Sequence, residues 1–159
     1  MTTTTHHSPT IPTTRPRRFA MDEIVLLGAR TLSGLLAGVY FAFAVAIMPA
    51  LHRLDDATYA RTMNAINDVI VNPAFLLAFL GAPVLTAVLL AWDRSPLLVV
   101  AVVLGVVALA ITFVGNIPLN DALADGGSRS AFENPWLVWH AFRTAAAVGS
   151  FALLCRVSV

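Results

Sequence analysis

The chain has 159 residues, of which 58% are hydrophobic and 12% charged, and its mean hydropathy is +0.78. Soluble domains carry roughly 25% charged residues, so this composition argues against a water-soluble single domain. All ten basic residues are arginine, against nine acidic ones, and a formal charge of +1 offers no clustered basic face for nucleic acid; the lone Cys155 excludes an intramolecular disulfide and a thiolate metal cluster.

Residues 1–22 are rich in Thr and Pro, hold too little apolar material to pack, and read as a disordered cytoplasmic tail. His6 and His7 lie in it, and adjacent histidines in a flexible segment are more often inert than metal-bound. Arg17, Arg18 and Phe19 faintly suggest a twin-arginine signal, but Asp22, Glu23 and Arg30 interrupt the apolar stretch such a signal needs. The first span is therefore expected to be an uncleaved anchor, with Arg30 snorkelling to the inner headgroups.

Residues 23–157 divide into four apolar stretches, about 24–51, 73–92, 95–120 and 135–155. Crossing the hydrocarbon core takes about 20 such residues per helix. In lipid each backbone amide must be satisfied within its own segment, so the expected fold is all-α: an integral membrane four-helix bundle. Only Asp93, Arg94 and Ser95 separate the second span from Pro96, a tight turn between antiparallel helices, and an up-down-up-down order follows. Arg15, Arg17, Arg18, Arg94 and Arg156 then face Arg53, Arg61 and Arg129, a balance that places both termini in the cytoplasm and the protein as multi-pass in the cell membrane.

Between the first two spans Tyr59, Met63, Ile66 and Ile70 recur at helical spacing, while Arg61, Asn64, Asn67 and Asp68 fall elsewhere on the wheel. This predicts an extra amphipathic helix, capped by Asp55 or Asp56, at the interface or over the bundle mouth. A helix that only fills a loop is the plainer reading, a functional lid the sharper one. Gly126, Gly127 and Ser128 mark 122–134 as a mobile loop. Asn72-Pro73 and Asn134-Pro135 each pair a capping residue with a proline in the first helical position. Pro49 and Pro118 close the first and third spans, so the two hairpins carry a faint echo of duplication.

Parity brings the polar residues of the spans to one end. Thr112, Asn116, Asn120 and Asp121 close the third span; Trp136, Trp139, His140 and Arg143 open the fourth; His52 and Asn72 flank them. At a rise of about 1.5 Å per residue, His140 and Asn116 each lie about 7 Å deep, and Arg143 and Thr112 about 12–13 Å deep. A guanidinium at that depth needs a partner, such as Asp121, the carbonyls freed near Pro118, or Tyr40 of the first span. A clasp between helices satisfies that need as well as a ligand site does. Trp136, Trp139, His140 and Arg143 form one stripe, although tryptophan at a span end is by default a lipid-belt anchor. His140 alone reads more readily as a hydrogen-bonded bundle residue than as a base, and a metal site of His52, His140 and Asp121 lacks any recognised ligand spacing.

Met48-Pro49-Ala50-Leu51, Met63-Asn64-Ala65-Ile66-Asn67, Asn72, Asn116-Ile117-Pro118-Leu119-Asn120-Asp121, and Trp136 followed by Trp139-His140 and Arg143-Thr144 together resemble the anthrone-oxygenase-like family of small four-span membrane proteins. The similarity runs over about 35–155. Some fungal members of that family are linked to oxidation of anthrones to anthraquinones with molecular oxygen, without metal or flavin, while most bacterial members have no assigned function. The resemblance implies that Arg143 holds an enolate oxygen, that Asn116 or His140 moves a proton, and that Trp136 and Trp139 stack on the rings, with Tyr40, Asn120 and Asp121 lining the site. The family pattern commonly has asparagine where this chain has His140, which makes Arg143 the firmer carry-over. The expected function is a cofactor-independent oxygenase of a lipophilic phenolic or anthrone-type substrate, with no metal. The alternative is a non-catalytic binding or assembly subunit for a lipid, quinone or partner helix. The expected partners are the bilayer and a lipophilic small molecule, not nucleic acid, and a homo-oligomer is left open.

Overall fold

Breaks between the helices fall where the sequence places proline and short polar side chains. In the computed structural model, which describes residues 18–158, α1 runs over Arg18–Ala42, passes through a wide π turn at Phe43–Ile47, and continues as α2, Met48–Leu51. Asp55 caps α3 (Asp56–Ile70) by accepting the Thr58 N–H at 3.0 Å, and Asn72 caps α4 (Pro73–Val88) by accepting the Phe75 N–H at 3.0 Å. A 3-10 turn at Leu89–Ala91 ends α4, and Ser95 caps α5 (Pro96–Ile111). A second π turn, Thr112–Asn116, leads into α6 (Ile117–Ala124), and α7 (Arg129–Leu154) returns. Each π turn stops two residues short of a proline, Pro49 or Pro118. The proline has no N–H for the carbonyl four residues back and its ring crowds that carbonyl, a conflict the wider turn relieves.

Among the described residues four helical segments are long and apolar enough to cross a membrane: Met21–Leu51, Pro73–Ala91, Pro96–Ala124 and Arg129–Leu154. Helix α1 begins inside the stretch read as a tail, and the rest of that tail, with His6 and His7, lies outside the described residues. The fourth segment corrects the sequence reading. Asn134-Pro135 sits inside α7, and the cap is Ser128, which accepts the Ala131 N–H at 3.3 Å. The expected loop over 122–134 is a tight reversal in which the Gly127 N–H reaches the Ala122 carbonyl at 2.9 Å and the Gly126 N–H the Leu123 carbonyl at 3.2 Å. Gly126 adopts φ 92°, the left-handed geometry that closes a helix end.

In the bundle α1 packs on α4 and α7, and α5 packs on the same two helices. Buried Ala29, Ala37, Ala82, Ala101, Ala108 and Ala147 let the backbones approach closely, which is how helices associate when lipid removes the hydrophobic drive between them. Large apolar side chains such as Leu27, Val84, Val103 and Phe142 face outward. Arg30 reaches the end of α7, where its Nε donates to the Leu154 carbonyl at 3.0 Å and its Nη2 to the Val157 carbonyl. At the opposite, cap end, Tyr59 and Met63 bury one face of α3 against Phe43, Met48, Leu123, Phe132 and Trp136.

Candidate functional site

Under α3 lies a cavity of about 240 Å³. It exists because α4 packs along α1 and α5 but has no extensive contact with α6, so the bundle is open at the cap end and α3 roofs the gap. Its walls are mostly apolar, including Val39, Phe43, Phe75, Phe79 and Ile117, and its polar contributions come from Tyr40, Asn67, Thr112, Asn120 and Arg143.

Arg143 is 8% exposed and no carboxylate pairs with it among the described residues. Its Nε donates to His140 Nδ1 at 3.0 Å and its Nη1 to Thr112 Oγ1 at 3.4 Å. The guanidinium carbon stands 4.5 Å from the Tyr40 ring centre and 5.1 Å from that of Trp136. Desolvated cation–π contacts of this kind contribute about 2 kcal/mol. The charge is thus solvated by two aromatic faces, an imidazole and a hydroxyl rather than neutralised.

His140 is fully enclosed. Besides accepting from Arg143, it places Nε2 3.0 Å from the Tyr40 carbonyl and stacks on Trp136 with centres 4.6 Å apart. A guanidinium only donates and a carbonyl only accepts, so the imidazole is neutral with its proton on Nε2. Both ring nitrogens are engaged in holding Arg143 against α1. Asn116 is buried within the second π turn and donates from Nδ2 to the Trp136 carbonyl at 3.2 Å, while its Oδ1 has no partner among the described residues. Neither His140 nor Asn116 lines the cavity.

The structure therefore gathers Tyr40, Asn120, Trp136 and Arg143 around the cavity and places His140 and Asn116 directly behind them. Trp136 donates from Nε1 to Asn120 Oδ1 at 2.8 Å. Trp139 and Asp121 lie elsewhere. Trp139 is 39% exposed and lies over Gly115, where a Cβ would stand 2.5 Å from its ring. Asp121 is exposed and makes no ion pair with Arg143. No group of three His, Cys, Asp or Glu among the described residues is arranged for a metal, and His52 points to Glu133 instead, at 2.8 Å.

Two features were not anticipated from sequence. Asn67, assigned to the polar face of α3, is one of the residues around the cavity, and its buried Nδ2 has no hydrogen-bond partner among the described residues. A polar clasp at the cap end joins the segment before α3 to the first turn of α7: Arg129 donates to Glu133 Oε2 at 2.7 Å, to the Leu54 carbonyl at 2.8 Å, to the His52 carbonyl at 2.9 Å and to Asp56 Oδ1 at 3.2 Å. Its guanidinium also covers the Tyr59 ring at 4.3 Å. Burial, reinforced by the Glu133 carboxylate, pushes the Tyr59 phenol above its ordinary value. The i, i+4 spacing of Arg129 and Glu133 was the available signal, hidden by reading this stretch as a loop.

Fold and site together define a four-span membrane protein whose helix ends enclose an apolar cavity with a buried arginine in its wall. The family model described as anthrone oxygenase matches residues 60–153, and the chain belongs to that family. The match covers α4 to α7 and most of α3, which supply the cavity wall apart from the contribution of α1 and its π turn. No curated protein and no solved structure is detectably similar to the chain.

Proposed function

We propose that the protein is a cofactor-independent oxygenase that takes a lipophilic phenolic or anthrone-type substrate into the cavity under α3. The observation that carries this reading is the buried, carboxylate-free guanidinium of Arg143 in an otherwise apolar, aromatic-walled cavity. Such a charge is wasted on a neutral hydrocarbon and is well used on an enolate oxygen. An anthrone carries an acidic C–H opposite its carbonyl; loss of that proton to a solvent base gives an enolate, which Arg143 stabilises. One electron passes from the enolate to molecular oxygen, the carbon radical and superoxide combine, and the protonated peroxide loses water. Anthrone and oxygen thereby become anthraquinone and water. Trp136 and Tyr40 flank the rings, while His140 and Asn116 act behind the wall, His140 fixing Arg143 and Asn116 fixing the α7 backbone.

The proposed setting is the cell membrane, with both termini cytoplasmic and the cap end outside, as the arginine balance favours. A C-terminal reporter active only outside the cell would turn the bundle over.

Oxygen uptake by purified protein with anthrone tests the chemistry. Arg143→Met is expected to lower kcat/KM by about 10²-fold, the usual loss for one oxyanion donor, with helicity by circular dichroism unchanged. Equal activity in the folded variant would refute the reading. One observation favours a second reading. No carboxylate or imidazole among the described residues lines the cavity to serve as a base, which suits a non-catalytic subunit that binds a lipid, quinone or partner helix. Stable co-purification of such a partner, without turnover of any phenol, would support it.

A further inference from the structure

A second and much smaller pocket, about 20 Å³, lies deeper in the bundle and shares no residue with the cavity under α3. Small side chains make the room. Ala82, Gly105, Ala108 and Ala147 meet there beside Pro83, which interrupts the hydrogen-bond ladder of α4. Three hydroxyl residues on three helices complete the lining: Ser33 of α1, Thr86 of α4 and Ser150 of α7, all buried.

Their hydrogen bonds do not close among themselves. Thr86 Oγ1 donates to the Ala82 carbonyl and Ser150 Oγ to the Ala101 carbonyl, both at 2.7 Å, so each proton is spent while each oxygen keeps acceptor capacity. Ser33 is the reverse case. It is 6% exposed and its hydroxyl has no partner among the described residues, so its proton is free. It also lies well inside an apolar segment long enough to cross a membrane, where lipid offers a lone hydroxyl no acceptor.

We propose that this pocket binds one ordered water molecule, which accepts from Ser33 Oγ and donates to Thr86 Oγ1 and Ser150 Oγ. A buried water needs roughly 10–15 Å³ and two to four polar partners, and the pocket meets both conditions. One molecule supplies what each hydroxyl lacks, an acceptor for Ser33 and a donor for each of the other two. It ties α1, α4 and α7 together next to the Pro83 break. The site is independent of the oxygenase reading.

A crystal structure of the full chain, at a resolution that shows ordered water at the helix caps, is expected to show one water within about 3 Å of all three oxygens. A pocket without that density overturns the proposal. Thermal unfolding of the purified protein tests it a second way. Ser33→Ala breaks no hydrogen bond within the protein; with the water bound it costs one to the water, and the midpoint is expected to fall by about 3 °C. A Cβ at Gly105 would stand 3.5 Å from Ser150 Oγ and 3.7 Å from Pro83 Cβ, ordinary contact distances, so Gly105→Ala takes the space of the water. In that background the Ser33 hydroxyl has lost its acceptor, and Ser33→Ala is expected to raise the midpoint. The helix propensity gained by the new alanine at 33 is the same in both backgrounds and cancels when the two shifts are compared. Equal shifts in the two backgrounds overturn the proposal.

Discussion

An arginine inside a membrane-spanning bundle is costly unless its lost hydration is replaced. For Arg143 the replacement comes from groups that fix its position without cancelling its charge: the His140 ring at 3.0 Å, the Thr112 hydroxyl at 3.4 Å and the faces of Tyr40 and Trp136. His140 is the hinge of this arrangement, since it holds Arg143 on one side and the Tyr40 carbonyl on the other. His140→Leu leaves a buried donor of Arg143 unmet, so a loss of about 1–3 kcal/mol in stability is expected, seen as a lower midpoint of thermal unfolding. His140→Asn keeps an acceptor near the Nδ1 position and is expected to lose less than half as much and to retain ligand binding. Equal losses in the two variants would show that His140 fills space and does not position Arg143. The pairing of these two residues was readable from their spacing of three on one helix and from the 1.5 Å rise. The fate of Trp139 was not readable. A stripe of four residues spans a wide arc, and which edge turns outward depended on Gly115 of the third span, whose missing side chain gives the indole its seat.

Helix α3 couples the cap end to the cavity beneath it, and its first turn is held by Asp55. Hydrogen bonds from Thr58 hold the Asp55 carboxyl below its ordinary value, with the nearby Arg61 adding a smaller effect in the same direction. A depressed carboxyl stabilises the fold above its unfolded value, here near 3.8, and that contribution is lost as pH falls through the lower folded value. Protection of the Thr58 amide, its exchange rate taken relative to the intrinsic rate at the same pH, is therefore expected to fall on acidification below about pH 4 in the native protein and to stay constant in Asp55→Asn, which caps without titrating. A similar loss of protection in both proteins would place the acid-sensitive contact elsewhere, for example at Glu133 in the Arg129 clasp. The existence of α3 was legible in the recurrence of Tyr59, Met63, Ile66 and Ile70. The start of α7 was not, because Asn134-Pro135 carries the same cap chemistry as the genuine start at Asn72-Pro73, and only the Gly126-Gly127-Ser128 reversal tells them apart. The two π turns leave no trace in a hydrophobic pattern. Their neighbours Pro49 and Pro118 mark them only once the conflict between a proline ring and the carbonyl behind it is considered.

At the scale of the whole molecule, four apolar spans and their order followed from composition and length, because a bilayer leaves a backbone few choices. The cavity did not follow, since it depends on α4 lacking extensive contact with α6 across the cap end, a matter of packing between elements distant in sequence. That gap has a direction. Leu76, Leu80 and Phe113 line the cavity and are also 37%, 45% and 52% exposed, so the side of the cavity opens on the apolar surface that lipid covers. If the cavity takes the ring system proposed above, that ligand enters from the bilayer between α4 and the third span without crossing water. Leu80→Trp narrows that gap while leaving the Arg143 end of the cavity intact. In vesicles the association rate of anthraquinone is expected to fall about tenfold, the effect of roughly 1.4 kcal/mol on a barrier. The dissociation rate should fall with it, so the affinity changes little. Val103→Trp, at a lipid-facing site away from the cavity, is expected to change neither rate. Stopped-flow quenching separates the two rates, and an unchanged association rate in Leu80→Trp would mean that ligands come in past α3 from the aqueous side.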